Sequence, residues 1–260
     1  MGEVVFRSIV FVVGAIVGSF LNVCIARLPK EESIVMPASH CPYCDTHIRP
    51  YDNIPIISYF LLRGRCRDCE LPISMRYPII EVLTALIFVL LSFYFKGALL
   101  AAYAVFASGL IIASAVDFEH EIIPDQISIG GIPAGIALST VLPSLQGAAT
   151  PLEGLRYSCY GACLGAALIY GIGFLGKIMF RKEAMGFGDV KFMAAIGAFL
   201  GMQKVTLVFF LAPCLGISYG IFARLKYKKE YIPYGPFLSL AAFISVFIKV
   251  DLMYMCGRFS

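Results

Sequence analysis

Charge is scarce in this sequence: Asp, Glu, Lys and Arg make up 15% of its 260 residues, against about 25% in an ordinary soluble domain. Too few polar side chains are present to cover a water-facing surface, which argues against a soluble globular protein. Histidine is also rare, with three residues. No His-Glu-x-x-His motif and no Ser/His/Asp set is present, which removes the common metalloprotease and serine-hydrolase routes to hydrolysis. There is no glycine-rich nucleotide fingerprint. No basic stretch interleaved with aromatics suggests nucleic acid.

Apolar residues are abundant instead, at 59% of the chain with a mean hydropathy of +0.83, and they fall in long runs. A membrane span needs about 17 to 25 mostly apolar residues. Eight runs qualify as predicted spans: 7–27, 77–95, 98–116, 126–144, 158–180, 190–202, 204–224 and 234–250, of which 190–202 is the shortest. The first follows Arg7 like a secretory signal, but no small-residue cleavage site comes after it and Cys24 does not sit behind a small residue, so it reads as a retained helix. The fold class expected is an all-α polytopic membrane protein with about eight transmembrane helices and a small cytoplasmic zinc-binding loop domain. The division expected is 1–28 as the first transmembrane helix, 29–78 as the cysteine module and 79–260 as a transmembrane bundle.

Orientation follows from the basic residues, because loops rich in Lys and Arg stay cytoplasmic. With the 28–77 connection inside, most of the 21 Lys and Arg residues fall on the inner side, and the formal charge of +4 reflects topology. Both termini then lie outside, and the loops after spans three and five lie inside. Glycines recur four apart as Gly131 and Gly135, Gly161 and Gly165, and Gly197 and Gly201, which predicts close helix packing.

The 28–77 connection carries Cys41-Pro-Tyr-Cys44 and Cys66-Arg-Asp-Cys69. Four thiolates in two C-x2-C pairs suit a tetrahedral structural zinc, each pair forming one knuckle. The alternatives are two disulfides or four unrelated thiols, and a reducing cytoplasmic side disfavours the disulfides. His40 and His47 could replace a ligand, although four cysteines already complete the shell. Cys24, Cys159, Cys163, Cys214 and Cys256 read as small buried hydrophobes.

Ionisable groups abutting a span are costly and suggest use. Asp117-Phe-Glu-His-Glu-Ile-Ile-Pro-Asp125 joins spans three and four, and Gly186-Phe-Gly188-Asp189-Val-Lys191 leads into span six. Asp125 follows Pro124 and can cap span four. Asp117 has no such role: it ends an apolar helix, where the dipole disfavours a negative charge. Glu119, His120 and Glu121 are expected to face water, with His120, one turn from Asp117, the alternative candidate to orient it. Gly186 and Gly188 allow a tight turn and close approach by another chain beside Asp189, for which helix capping is the plain alternative. Two carboxylates on one side of a bundle can share a proton, one activating water and the other polarising a carbonyl.

In this order the motifs resemble the bacterial type IV prepilin peptidases of the GxGD group of intramembrane aspartyl proteases. The resemblance rests on Gly18-Ser-Phe-Leu-Asn-Val23 with Arg27-Leu-Pro29, the two cysteine pairs, Tyr51-Asp-Asn-Ile-Pro55, Ile73-Ser-Met-Arg-Tyr-Pro78 with Glu81, the Asp117 loop and residues 186–191. It implies Asp117 and Asp189 as catalytic residues and Gly186 and Gly188 as the active-site loop. It also implies cleavage of prepilins or pseudopilins at the cytoplasmic border of the bacterial inner membrane, and N-methylation of the new amino terminus from S-adenosylmethionine. The implied partners are those substrates and membrane lipid, with homo-oligomerisation left open. Asn22, Arg27, Asp52, Asn53 and Glu81 could line the methyl-transfer site or simply anchor the loop. Tyr231-Ile-Pro-Tyr-Gly-Pro236 could seat an extended substrate beside Asp189 or be a plain turn and helix start. A transporter using membrane-edge acids is the competing class, against which no inverted repeat is visible.

Overall fold

The structure is a computed structural model that describes residues 1–180, 186–227 and 233–248, with the helical backbone alone at 180, 218 and 220–227. Arg181, Lys182, Lys228, Lys229, Tyr231, Ile232, Lys249, Cys256 and Arg258, which entered the topology, cysteine and substrate readings, lie outside the described residues. The described chain is helical: α1 (Gly2–Arg27), α2 (Ile57–Leu61), α3 (Arg76–Tyr94), α4 (Gly97–His120), α5 (Asp125–Val141), α6 (Pro151–Phe180), α7 (Phe187–Tyr227) and α8 (Gly235–Phe247). Five of them, α1, α3, α4, α6 and α7, are long and apolar enough to cross a membrane. At 17 and 13 residues, α5 and α8 are shorter.

Contacts divide the chain into Met1–Ile112 and Ala113–Ser260. In the first unit α1 and α3 pack antiparallel, because rising positions on α1 meet falling positions on α3. A Cβ on Gly14 or Gly18 would stand 2.7 Å from the Cα of Ala85 or Glu81, and Asn22 Nδ2 donates to the Tyr77 carbonyl at 3.1 Å. Only glycine permits axes this close. Between the two helices lies the cysteine module, fastened to the end of α1 by the Arg27 guanidinium, which donates to the carbonyls of Ser33 and Pro37.

In the second unit α7 is broken at Gly201, whose φ of 76° and ψ of 176° are non-helical. A Cβ on Gly165 would touch both the Met193 carbonyl and Val205 Cγ2. A continuous helix would hold residues 193 and 205 about 18 Å apart, so the chain doubles back at Gly201. The two limbs, 187–200 and 202–227, correspond to predicted spans six and seven, and with α1, α3, α4, α5, α6 and α8 they make up the eight segments anticipated. The first limb spans only about 21 Å at 1.5 Å per residue, short of a hydrocarbon core of about 30 Å. It is buried continuously from Phe192 to Gly201, as befits a helix that is apolar all round.

The end of that limb is capped from other elements. Gln146 Nε2 donates to the Ala198 carbonyl and to Ser139 Oγ, both at 2.8 Å, while Ser139 and Ser158 hydroxyls also donate to the Ala198 carbonyl. Carbonyls left open where a helix stops need such donors in an apolar interior. The glycine pairs serve packing, as expected. Gly161 and Gly197 face each other, a Cβ on either reaching the other's carbonyl oxygen, and Gly131 and Gly135 rest on Ala195 and Ala198.

Candidate active site and cysteine module

Asp117 lies in the last turn of α4, and the residue is 4% exposed. Its position at a helix C-terminus is electrostatically poor, and the structure shows what offsets it. Asp117 Oδ2 accepts a 2.8 Å hydrogen bond from the backbone N–H of Gly235, the first residue of α8. The free N–H groups and positive dipole end of α8 thus meet the carboxylate that the end of α4 disfavours. The fit is tight: a Cβ on Gly235 would stand 2.7 Å from Asp117 Oδ2.

Asp189 occupies the third position of α7. Its own N–H donates to the Gly186 carbonyl at 3.2 Å, and its carboxylate accepts from the Gly186 backbone. That reach back to the residue before the helix is the geometry of the acidic member of a capping box. The expected tight turn is absent at Gly188, which lies within the first turn of α7. A Cβ there would meet Ile123 Cβ at 3.6 Å, an ordinary contact, and one on Gly186 would meet Asp189 Oδ2 at 3.5 Å. The conformational reason for Gly188 therefore falls away, and the bare backbone beside Asp189 is left as its distinguishing property.

Asp117 and Asp189 come close enough for their carboxylates to interact electrostatically. The Tyr234 phenol, next to the Gly235 that binds Asp117, is within electrostatic reach of Asp189. The 117–125 loop is fastened to the start of α7 by Ile123 against Gly188 and by a 2.8 Å ion pair between Asp125 Oδ1 and Lys191 Nζ. This corrects the capping role expected for Asp125: Pro124 holds the N-cap position of α5 and no side chain caps that helix. Proline before Asp125 leaves its carboxylate free to turn toward Lys191. Glu119, His120 and Glu121 are exposed, as expected, and the His120 ring lies 4.0 Å from Glu119 rather than orienting Asp117.

The cysteine module is a pair of like knuckles offset by 25 residues. Cys41 N–H bonds to the Thr46 carbonyl and Asp45 N–H to the Cys41 carbonyl; Cys66 and Leu71, and Glu70 and Cys66, repeat both bonds. Asp45 and Glu70 both adopt positive φ, at 55° and 59°, and the bridges His40–His47 and Arg65–Pro72 close the two turns. The four sulfurs lie within 4.8 Å of one another, and Cys41 and Cys69 are 3.8 Å apart. A zinc–sulfur bond of about 2.3 Å gives a tetrahedral edge of about 3.8 Å, so the cluster is shaped for such an ion. Hydrogen bonding from Thr46 pulls the Cys44 thiol down to about 7. The backbone at Cys69 and Asp68 lowers Cys66. Both shifts favour the thiolate that a metal requires, whereas Cys69 is pushed up to about 12, the Leu71 backbone lowering it but desolvation and the three neighbouring thiols raising it further. His40 and His47 stand outside the cluster.

Among the other cysteines Cys24 is buried, but Cys163 and Cys214 are exposed on helix faces; an apolar run in a membrane helix turns outward as readily as inward. Of the polar residues near the module, Asp52 forms a two-pronged ion pair with Arg67 at 2.6 and 2.8 Å, and Glu81 Oε2 accepts the Ile56 N–H at 2.7 Å. Asn22 is 1% exposed and its Oδ1 has no partner.

Residues 12–95 match the family model described as Bacterial Peptidase A24 N-terminal domain, and 104–221 match Type IV leader peptidase family. The chain is 35% identical over 255 residues to the "Type 4 prepilin-like proteins leader peptide-processing enzyme" of Escherichia coli O78:H11, covering 91% of both chains. It is 32% identical to the "Prepilin leader peptidase/N-methyltransferase" of Dichelobacter nodosus, over 94% of this chain and 92% of that one. A protein of the same name from Myxococcus xanthus is 38% identical over 83% of this chain and 62% of its own length. No solved structure matches. With two successive domain models and near full-length relatives in agreement with the motif order, the chain belongs to the type IV leader peptidase family.

Proposed function

We propose that this protein is a membrane aspartyl protease that removes the leader peptide of type IV prepilins or pseudopilins and N-methylates the amino terminus so exposed. The observation that carries the protease reading is the convergence of Asp117, Asp189 and the N-terminus of α8. Asp117 and Asp189 are the catalytic pair. Held at close range they share a proton and titrate as a unit. The ionised carboxylate takes a proton from water as its oxygen attacks the scissile carbonyl carbon. The protonated partner donates to the carbonyl oxygen, and collapse of the tetrahedral adduct returns a proton to the leaving amine. The Gly235 N–H fixes one oxygen of Asp117, and Gly186 and Gly188 leave backbone room for an extended substrate. Tyr234 lies within electrostatic reach of Asp189.

Residues 29–78, with a structural zinc on Cys41, Cys44, Cys66 and Cys69, form the cytoplasmic module linked to methyl transfer. S-adenosylmethionine supplies the methyl group there. The unpartnered, buried Oδ1 of Asn22 and the Glu81 carboxylate suit a cationic ligand, whereas Asp52 and Arg27 hold the loop in shape. The distribution of Lys and Arg supports an inner-membrane protein with its active site facing the cytoplasm. Family membership favours this reading over a transporter using the same acids.

The test is reaction of the purified full-length enzyme in liposomes with a prepilin, followed by mass measurement of the product's amino terminus. A product cut after the leader and heavier by one methyl group is expected, the methyl depending on added S-adenosylmethionine. An Asp117→Asn or Asp189→Asn variant that still cleaves would sink the assigned pair.

A further inference from the structure

Residues 54–62 read Ile-Pro-Ile-Ile-Ser-Tyr-Phe-Leu-Leu, an uncharged run within an otherwise polar module. Most of the run is α2, and Ser58 is the only residue of that helix that is buried. The bulky apolar side chains point out instead: Ile54, Ile57, Phe60 and Leu61 are 43%, 55%, 69% and 74% exposed. Such a patch needs an apolar neighbour.

Its place beside α3 is set by a tether. The Ile56 N–H donates to Glu81 Oε2, and Glu81 lies five residues into α3 from Arg76, about 7.5 Å along the helix axis. Ile56 itself is held at φ 64°, a conformation unfavourable for a β-branched residue. Ser58 Oγ pins the preceding strand of chain by accepting from Ile54 N–H and donating to the Tyr51 carbonyl. The run is therefore fixed beside the first turns of α3, one of the helices long and apolar enough to cross a membrane, and amphipathic segments lie where such helices meet the headgroup and acyl boundary. Directly after it come Arg63 and Arg65, both exposed. They have no ion-pair partner among the described residues, whereas Arg67 and Arg49 are engaged by Asp52 and Asp68.

We propose that residues 54–62 are a membrane foot: Ile54, Ile57, Phe60 and Leu61 insert into the leaflet at which α1 ends and α3 begins, and Arg63 and Arg65 rest on its anionic headgroups. The cysteine module is then attached to the bilayer at three places, α1, α3 and the foot, and lies along the surface. The inference needs only a membrane protein and stands apart from the enzymatic reading.

The chain has no tryptophan, so a single introduced one reports alone. Phe60→Trp and Leu61→Trp are made separately in the full-length protein, with Tyr43→Trp, on the first knuckle and 63% exposed, as the water-facing reference. Each is reconstituted in vesicles of phosphatidylcholine and phosphatidylglycerol brominated at shallow or deep acyl positions, and helix content is checked by circular dichroism. The foot predicts blue-shifted emission and shallow-bromine quenching at positions 60 and 61 at least about twofold above that at position 43. Adding Arg63→Gln and Arg65→Gln should reduce that quenching only where phosphatidylglycerol is present. Acrylamide quenching without bromolipid quenching at both positions would overturn the proposal and leave the patch to a protein partner. Quenching confined to deep bromines, or indifference to the arginine changes, would equally contradict it.

Discussion

Gly235→Ala tests how the carboxylate pair is held. The added Cβ would stand 2.7 Å from Asp117 Oδ2, 3.1 Å from its Cγ and 3.2 Å from its Cβ, and Asp117 is buried. Either the carboxylate rotates away or the start of α8 retreats. Both break the 2.8 Å bond from the Gly235 N–H. A hydrogen bond to a charged group is worth about 1.5 to 3 kcal/mol, which at about 1.4 kcal/mol per tenfold becomes a loss of roughly 10- to 150-fold in kcat/KM if the bond aligns Asp117 for reaction. Alanine is the better helix former by about 1 kcal/mol, so α8 itself is not weakened. The assay is cleavage of a purified prepilin in detergent or liposomes, with thermal unfolding measured alongside. Near wild-type kcat/KM would refute the reasoning, because the clash would then be absorbed without moving Asp117.

Further outcomes follow from the same geometry. Gly188→Ala should keep its thermal stability, since its Cβ meets Ile123 at ordinary distance, yet lose cleavage mainly through KM; unchanged kinetics would remove the substrate-clearance role of Gly188. Asp125→Asn breaks an ion pair in which the Asp125 side chain is 60% exposed, so cleavage should fall by less than about fivefold, against complete loss for Asp117→Asn. Metal analysis should find about one zinc ion per chain, and Cys41→Ser with Cys66→Ser should abolish its binding. Asp52, held below its ordinary value by Arg67, should stabilise the module at every pH above its unfolded pKa of about 3.9. That contribution is lost as pH falls through the lower folded value, and protease nicking of residues 29–78 at graded pH should report it. Gly197→Ala places a methyl group in the Gly161 carbonyl and should cost about 3 kcal/mol or more, read as lost expression or a lowered melting temperature.

The membrane-spanning character, the helix positions, the cysteine cluster and the candidacy of the two aspartates were legible in the sequence, the first three from local composition or spacing and the last from their place beside apolar runs together with the motif order. An apolar run long enough to span declares itself. So does a pair of C-x2-C motifs, and an acid where a helix dipole disfavours it marks Asp117. Contacts between distant segments were not legible. Nothing near Asp117 announces that Gly235, 118 residues later, will donate to it. Nothing near Asp125 announces Lys191, and a proline before it invited a capping role that the ion pair displaces. The reversal at Gly201 shows the division most clearly. Two apolar runs at 190–202 and 204–224 indicated two helices, yet the first is too short to cross a bilayer alone, and it stands because Gln146, Ser139 and Ser158 cap its end from other elements. Periodicity and hydropathy determine where helices form. Which unsatisfied backbone group meets which side chain is decided only when the helices pack, since in an apolar interior every such group must find its partner from whatever the fold brings near.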